Sequence, residues 1–355
     1  MTDKTLKYVI PKLNKTTTQI STTVTNDFAV IGVDRFIEEG PDNSYIYANV
    51  SSLAYTYDGI NYIESNSGDI LNGVNKVDFN GYQWMACGYN DTETESILLS
   101  SDGINWTTPV TNVLPSYVLD VVWGGKKWVA VGQVNPESSI NRIAYSSDGM
   151  NWTLSTYNSN NHVGLFNCLA YNGSYFLAGG LNSIAKSTDG INWTDVDVTS
   201  TLSYVKSLTW NGSIWVGTGY NAYPIAHSTD GVSWTAYTGT LINYANTVVY
   251  NGTIFLVGGG GVYKLISSKD GINWSGVILY ENQSISNGIN DMTWTGTQWI
   301  VIGNVNPGET IPKIACSSDL VTWTPSNNGD ALYNDILYVN SITSRNRRNY
   351  FLTYT

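Results

Sequence analysis

A seven-residue motif, Ser-x-Asp-Gly-x-x-Trp, recurs along this chain of 355 residues and limits what the chain can fold into. Five copies are close to identical, among them SSDGINW, STDGINW and SKDGINW. Two depart from the pattern: TYDGINY ends in Tyr62, and SSDLVTW has Leu320 in place of the glycine. The motif aspartates, 40 to 49 residues apart, are Asp58, Asp102, Asp148, Asp189, Asp230, Asp270 and Asp319. The motif tryptophans are Trp106, Trp152, Trp193, Trp234, Trp274 and Trp323.

A second repeated element precedes each motif and predicts a β-hairpin. It consists of an apolar run, an Asn-Gly pair, an aromatic residue, a second apolar run and a glycine, as in LTWNGSIWVGTG from Leu208 to Gly219. Asn-Gly between two such runs indicates a tight turn in which both residues take positive φ. Each repeat then contributes four antiparallel strands, and about 40–45 residues suffice for one such blade of a β-propeller.

The motif itself reads as a turn between the last two strands of a repeat. Its serine and aspartate oxygens can accept backbone N–H groups within the turn, and its glycine can adopt a left-handed conformation. Its tryptophan is expected to pack between neighbouring sheets. At Leu320 the same turn is expected to be strained or to have another shape.

The repeats predict an all-β fold, a single β-propeller domain over residues 1–355, and leave two ways to close its ring. The sequence favours seven blades, in which the C-terminal hairpin Ile336–Thr355 joins the first motif and residues 1–40 lie outside. The alternative has eight blades and is closed by N- and C-terminal strands, with Leu6–Leu13 completing the last one. Either arrangement satisfies the need to pair the open edges.

These motifs resemble the Asp-box, or BNR repeat, of the sialidase-like propeller superfamily, and the resemblance spans about residues 20–355. The usual box has one more residue between aspartate and glycine. The superfamily includes sialidases, xyloglucan hydrolases, sortilin-like receptors and photosystem II assembly factors. It implies that the seven aspartates shape turns at the blade periphery, and it does not fix a function. The arrays are also similar to those in structural proteins of phages and large DNA viruses.

Composition and charge argue against several classes of partner. The chain has 17 Lys and Arg against 28 Asp and Glu, a net charge of −11. Nucleic-acid binding draws on basic residues, so we expect no nucleic-acid partner. We also expect no membrane insertion and no signal peptide, and hence a cytoplasmic or virion-associated protein. The three cysteines lie in separate apolar runs, which favours buried free thiols: Cys87, Cys168 and Cys316.

No convincing catalytic constellation is predicted. Three of the five arginines lie within residues 345–348. Because the arginine triad of sialidases draws on separate blades, such a triad is not expected here. The weak candidates for a glycosidase carboxylate pair are Asp120 and Asp291, both on strands that would line the propeller axis. The two histidines, His162 and His227, fall in unrelated contexts. We therefore expect neither a metal nor another cofactor.

A ring of polar side chains is predicted around the propeller axis. Five residues before each hairpin turn, the repeats carry Asn75, Leu119, Asn167, Lys206, Asn246, Asn290 and Asn340. The polar members are candidates to bind a ligand through amide donors and acceptors. The competing interpretation is a hydrogen bond between blades that recurs because the blade recurs.

The leading functional hypothesis is a non-enzymatic binding or assembly module. It would recognise a protein or a neutral glycan through the channel mouth or through variable loops at Val33–Asn49, Tyr89–Glu95, Gln133–Asn141 and Asn304–Lys313. Two alternatives stay open. One is a glycoside hydrolase or lyase that uses the channel carboxylates, and the other is a virion or tail structural protein.

Overall fold

The computed structural model describes thirteen stretches of the chain. These are residues 28–33, 36–39, 45–47, 51–67, 70–90, 92–114, 116–133, 141–157, 166–220, 223–278, 288–304, 313–326 and 339–345. Within them the chain forms strands, turns and bends, and no helix. No helix long and apolar enough to cross a membrane is found in these stretches.

The strands are numbered in chain order. The first half comprises β1 (Ala29–Val33), β2 (Phe36–Glu39), β3 (Tyr45–Tyr47), β4 (Leu53–Thr56), β5 (Tyr62–Glu64), β6 (Gly73–Phe79), β7 (Trp84–Tyr89), β8 (Ile97–Ser100), β9 (Tyr117–Trp123), β10 (Trp128–Gln133), β11 (Asn141–Ser146), β12 (Thr153–Leu154), β13 (Thr156–Tyr157), β14 (Phe166–Tyr171) and β15 (Phe176–Gly180). The second half comprises β16 (Ser183–Ser187), β17 (Asn192–Asp197), β18 (Tyr204–Trp210), β19 (Trp215–Tyr220), β20 (Ile225–Ser228), β21 (Thr235–Ala236), β22 (Tyr244–Tyr250), β23 (Phe255–Gly260), β24 (Leu265–Ser268), β25 (Ser275–Gly276), β26 (Gly288–Trp294), β27 (Trp299–Asn304), β28 (Ile314–Ser317), β29 (Thr324–Pro325) and β30 (Val339–Ser344).

The predicted four-stranded antiparallel sheets are confirmed. From the inner strand outward their orders are β30-β1-β4-β5, β9-β10-β11-β12, β14-β15-β16-β17, β18-β19-β20-β21, β22-β23-β24-β25 and β26-β27-β28-β29. A further sheet, β6-β7-β8, has its fourth strand reduced to a bridge between Leu99 and Thr107. The second strands are buried along nearly their whole length, because apolar side chains of neighbouring sheets pack against them.

The inner strands of these sheets stand side by side in a closed cycle. Within the described stretches, β6, β9, β14, β18, β22, β26 and β30 each contact the next, and β30 contacts β6. This is the arrangement of a β-propeller. The preference for seven blades over eight stays a prediction, because Leu6–Leu13, which the eight-blade alternative needs, lies outside the described residues.

One detail of the predicted closure is wrong. The C-terminal part of the chain supplies the inner strand β30 to the sheet of the first motif, but the second strand of that sheet is β1. Residues 29–33 therefore lie within the ring and not outside it. The register pairs Ile31 with Ile342, so strands from the two ends of the chain complete one sheet, as the edge-pairing argument requires.

The motif turns share one hydrogen-bond pattern. The serine or threonine hydroxyl donates to the aspartate Oδ1 and accepts the N–H three residues after itself at 2.8–2.9 Å. The aspartate Oδ1 accepts the N–H groups two and three residues further on at 2.7–2.9 Å. Leu320 keeps this pattern at φ 63°, so the deviant copy has the same shape and holds a leucine in the left-handed region.

The motif glycine also lies against the preceding sheet. A Cβ at Gly103 would stand 2.9 Å from the Phe28 ring, and one at Gly231 would stand 3.1 Å from Tyr175. In the deviant copy, Leu320 packs instead into a cluster that includes Leu256. The motif tryptophans are buried in these inter-sheet clusters, apart from Trp234, which is partly buried.

The Asn-Gly turns differ from the prediction. Only the glycines have positive φ, for example 101° at Gly81 and 103° at Gly212. Asn80 lies in a four-residue loop between the paired residues Phe79 and Trp84, and its Oδ1 accepts the N–H groups of the residues two and three positions on. The asparagine therefore acts through its side chain, as a turn-forming acceptor, and not through a left-handed backbone.

Candidate functional site

A β-bulge interrupts the inner strand of every sheet at the position of the predicted ring. In β6, Val74 pairs with Gly88 and Lys76 with Cys87, so Asn75 has no partner residue in β7. The same skip occurs at the other six ring positions, namely Leu119, Asn167, Lys206, Asn246, Asn290 and Asn340. A bulge re-aims side chains, and in six of the seven strands both the skipped residue and the residue after it line the space at the axis.

The bulges surround a central cavity of about 450 Å³. Side chains from all seven inner strands line it, and they include every member of the predicted ring together with Asp120 and Asp291. The structure thus brings together the two sets of candidates that the sequence singled out separately.

The amides of the ring bond mainly to the neighbouring sheet. The Nδ2 group of Asn246 donates to the Ile289 carbonyl at 2.9 Å, and that of Asn290 donates to the Val339 carbonyl at 3.0 Å. Asn75 and Asn340 make the equivalent bonds to Val118 and Val74. In these four sheets one donor of each amide is committed to the fold, as the competing interpretation of the ring expected.

Asp120 is buried at the cavity wall and holds two backbone N–H groups. Its Oδ1 accepts the Val121 N–H at 2.8 Å, and its Oδ2 accepts the Leu169 N–H of the next inner strand at 2.7 Å. Burial raises the pKa of this carboxyl to about 6, although Lys76 and the Leu169 N–H act in the opposite direction. The group links two sheets and titrates near neutrality.

Asp291 occupies the equivalent position in β26 and is also buried. Its Oδ1 accepts the Thr247 hydroxyl and the Met292 N–H at 3.0 and 2.9 Å. Its Oδ2 accepts the Ile342 N–H at 3.2 Å and forms an ion pair with the Lys76 ammonium at 3.1 Å. Both carboxylates therefore have their oxygens engaged by the protein.

Tyr204 and Lys206 line one side of the cavity, and further tyrosines stack behind its wall. The Tyr204 and Tyr220 rings stack with their centroids 4.4 Å apart, and the Lys206 ammonium lies 5.3 and 5.9 Å from them. Lys206 is solvent-exposed as a whole residue, and partial desolvation of its ammonium group at the cavity wall lowers its pKa. On the far side, Tyr117 stacks on Tyr89 and donates its hydroxyl to Asn75 at 3.4 Å.

The remaining candidates lie away from this cavity. The motif aspartates are at the opposite ends of the strands, each engaged in its own turn. Of the two histidines, His227 lies on β20, the third strand of its sheet, and His162 is outside the described residues. Arg142 is on β11, and the Arg345 guanidinium lies over the Phe28 ring at 4.6 Å. Among the described residues, no three His, Cys, Asp or Glu side chains form a group suited to a metal ion.

Sequence reasoning missed the bulges and therefore missed Lys76, Ser207, Thr247 and Tyr204 as cavity residues. A signal was present. In four hairpins the second strand carries a glycine opposite the start of the bulge, where a Cβ would strike the inner-strand backbone: Gly88, Gly132, Gly219 and Gly259. A Cβ at Gly219, for example, would stand 1.8 Å from the Tyr204 carbonyl oxygen. A glycine that recurs at that place indicates the close backbone approach of a bulge.

The cavity-lining residues lie in the first part of each inner strand, towards the end of the ring where the second strands end. Inner strands begin there and second strands end there, since Gly73 pairs with Tyr89 and Tyr117 with Gln133. The predicted recognition loops leave from those second strands. We call this end the loop-bearing face, and the motif turns lie at the other end.

Comparison with known proteins supports the fold and identifies no family. No protein-family model matches the chain, and no curated protein does. Among solved structures it is similar to the computationally designed Ika8 protein, at TM-score 0.53 and 10% identity, with 84% of this chain and 87% of that one covered. It is also similar to a chain of the mitotic checkpoint complex, at TM-score 0.53 and 13% identity, with 89% and 88% covered.

A third similar structure is an ancestral GH74 enzyme, at TM-score 0.53 and 15% identity. The match covers 86% of this chain and 50% of that enzyme, so this chain spans about half of its length. These likenesses support the β-propeller fold. At such low identity the same fold carries unrelated functions, and the site must be argued from its own residues.

Proposed function

We propose that this protein is a non-enzymatic binding module that takes its ligand at the cavity on the loop-bearing face. The observation that carries the proposal is the closed set of bulges, which directs polar side chains from all seven inner strands into one cavity. A rigid scaffold with a concave polar site and loops around it is suited to recognition. The likeness to a chain of the mitotic checkpoint complex is consistent with protein interaction.

The state of the carboxylates favours binding over catalysis. A glycosidase needs one carboxyl to donate a proton and the other to act as nucleophile or base. Asp291 is neutralised by Lys76, and its oxygens accept hydrogen bonds from three elements of the fold. Both oxygens of Asp120 accept backbone N–H groups. Carboxylates whose oxygens accept these bonds stabilise the ring and are not placed to act as a proton donor and a nucleophile.

A binding experiment tests the proposal. Wild-type protein is applied to an array of immobilised glycans and to an array of immobilised proteins, together with Lys206→Glu at the cavity and Lys269→Glu on an exposed motif turn at the other end. We expect a wild-type signal that falls at least tenfold in Lys206→Glu and is unchanged in Lys269→Glu. No signal on either array, or an equal loss in both variants, would refute the proposal.

A hydrolase is the second candidate, and the pKa of Asp120 is the observation in its favour. A carboxyl with a pKa of about 6 can serve as a general acid near neutrality. The test is to incubate the protein with mixed polysaccharides and to measure new reducing ends. Activity in the wild type that disappears in Asp120→Asn and in Asp291→Asn would replace the binding proposal with this one.

A further inference from the structure

We infer that the cavity receives a neutral sugar residue, seated between Lys206 and Asn246 against the ring of Tyr204. The inference rests on the proposed binding function and names the class of ligand. Lys206 and Asn246 belong to adjacent inner strands, β18 and β22, and both occupy bulge positions that line the cavity. They are therefore neighbours around the wall, with Tyr204 two residues before Lys206 on the same strand.

The amides present acceptors to the cavity. Asn246 donates its Nδ2 group away from the cavity, to the carbonyl of Ile289 in the next sheet. Asn340 does the same to Val74. An amide has two N–H donors and one oxygen, so an asparagine that makes one outward bond keeps its Oδ1 acceptor and a second N–H for a ligand. A ligand group that both donates and accepts therefore fits these amides.

Lys206 lies beside these amides and offers hydrogen-bond donors in place of acceptors. Its ammonium has donors only, and it lies over the faces of Tyr204 and Tyr220. The ligand group that meets Lys206 must therefore accept, while the group that meets the Asn246 Oδ1 must donate. The hydroxyl is a functional group that does both, and a sugar ring carries several of them next to an apolar face that packs on tyrosine.

The charges of the wall favour a neutral ligand. Lys76 and Asp291 neutralise one another at 3.1 Å, which leaves Lys206 and the buried Asp120 as the other charged groups along the lining. A carboxylate ligand has no donor for the amide oxygens and faces Asp120. An ammonium ligand has no acceptor for Lys206 and faces its charge. Either would be desolvated without full compensation, which a neutral polyol avoids.

Calorimetric titration with defined sugars tests the inference. The neutral probes are D-glucose, D-galactose, D-mannose and N-acetyl-D-glucosamine. The charged analogues are D-glucuronic acid and D-glucosamine. We expect at least one neutral probe to bind and its charged analogues to bind at least tenfold more weakly, because each mismatched polar group costs about the 1.4 kcal/mol that corresponds to a factor of ten.

Three substitutions locate the site. Lys206→Met keeps the side-chain stem, removes the donor and is expected to weaken binding about tenfold. Lys206→Arg keeps donors and should bind within about threefold of the wild type. Lys186→Met is the control, since the Lys186 ammonium contacts the Tyr175 ring and the Asp230 carbonyl away from the cavity. Unfolding curves check that each variant is folded.

The outcomes separate the inference from the proposed function. Charged analogues that bind more tightly, with loss in Lys206→Met, would overturn the neutral-sugar inference and leave the binding site in place. Neutral binding that Lys206→Met does not weaken would overturn the assigned position. If no sugar binds at millimolar concentration, the inference is wrong, and the glycan and protein arrays decide the binding function separately.

Discussion

The motif glycine is required for two separate reasons, its positive φ and its close packing against the preceding sheet, and the two can be measured separately. At Gly103 the backbone has φ 78°, and a Cβ would lie 2.9 Å from the Phe28 ring. At Gly81, in a hairpin turn, φ is 101° and a Cβ would meet nothing within 4 Å. Substitution by alanine at Gly81 therefore adds only backbone strain, whereas at Gly103 it also adds overpacking against the preceding sheet.

We expect Gly81→Ala to lower the free energy of unfolding by about 1–2 kcal/mol. Gly103→Ala should lower it by a further 1–3 kcal/mol or so, the usual cost of an overpacked core. Urea unfolding followed by tryptophan fluorescence measures both. Equal losses in the two variants would show that the motif glycine is needed for its φ alone.

The motif carboxylates predict how stability depends on pH. The backbone N–H of Ser233, followed by that of Val232, lowers the pKa of Asp230 to about 2, below the ordinary value near 3.9 in an unfolded chain. A lowered folded-state pKa contributes stability that is fully present above about pH 4 and is lost as the pH falls through about 2. Asp230 is exposed, so solvent screening limits its share.

Asp230→Asn should therefore be less stable than the wild type at pH 7 by about 0.5–1 kcal/mol. The gap should close as the pH is lowered through about 2, where the wild-type carboxyl gains its proton. Urea midpoints of both proteins from pH 7 to pH 1.5 provide the measurement. A gap that persists at pH 1.5 would mean that the carboxylate charge is not what stabilises this turn.

Sequence reasoning was most successful at these turns, because their chemistry is local. Ser228, Asp230 and Gly231 lie within four residues and bond to one another. The role of Asn80 was misjudged, since an asparagine before a glycine can act either through positive φ or through its Oδ1, and the pair of letters is the same. Only the observed loop of four residues distinguishes the two.

At the scale of a strand, the repeated β-bulge is the feature that directs side chains from the structural repeat into the central cavity. It exists because the second strand carries a glycine where the inner strand comes closest. A Cβ at Gly219 would stand 1.8 Å from the Tyr204 carbonyl oxygen. Gly217, two residues earlier on β19, would meet only side-chain atoms, at 3.0–3.2 Å.

Gly219→Ala should force the two strands apart and lower the free energy of unfolding by about 3 kcal/mol or more, because the blocking atom is backbone. Gly217→Ala, the matched control on the same strand, should cost about 1 kcal/mol or less, because side chains can shift. Chemical unfolding measures the two costs. Comparable losses would mean that the bulge is not held by its glycine.

The placement of the ring could be predicted by counting back from each turn, because the seven positions found in this way are the seven bulge residues that line the cavity. The bulge could not be predicted by counting, because strict alternation would send Asn75 and Lys76 to opposite faces. The contacts between residues from distant parts of the chain could not be predicted from the sequence either. Lys76 and Asp291 are 215 residues apart in the chain, and only ring closure brings them together.

For the whole molecule, closure depends on a strand from each end of the chain meeting in one sheet. The inner strand β30 lies between β26 and β6. The ion pair of Lys76 on β6 with Asp291 on β26 spans β30 and joins its two neighbours. The same carboxylate accepts the Ile342 N–H of β30. One buried charge thus holds three consecutive inner strands at the place where the ring is completed.

Removing the lysine should therefore destabilise the ring more than an exposed ion pair would. The side chains of Lys76 and Asp291 are 22% and 8% exposed, so Lys76→Met leaves a mostly buried carboxylate without its counter-charge. We expect a loss of about 2–3 kcal/mol in the free energy of unfolding, less than for a fully buried pair because four hydrogen-bond donors besides Lys76 still reach the carboxylate. Lys127→Met, which removes a lysine that lies over the Tyr145 ring at 5.0 Å, should cost less than 0.5 kcal/mol or so.

A double-mutant cycle tests whether the pair closes the ring as a unit. If the charges act on each other, Lys76→Met combined with Asp291→Asn should lose less stability than the two single losses added together, by about 1–2 kcal/mol. Fully additive losses would mean that Lys76 and Asp291 stabilise their own sheets independently. Because the pair joins β6 to β26 across β30, a positive coupling energy would measure directly how strongly the two sides of the closure support each other.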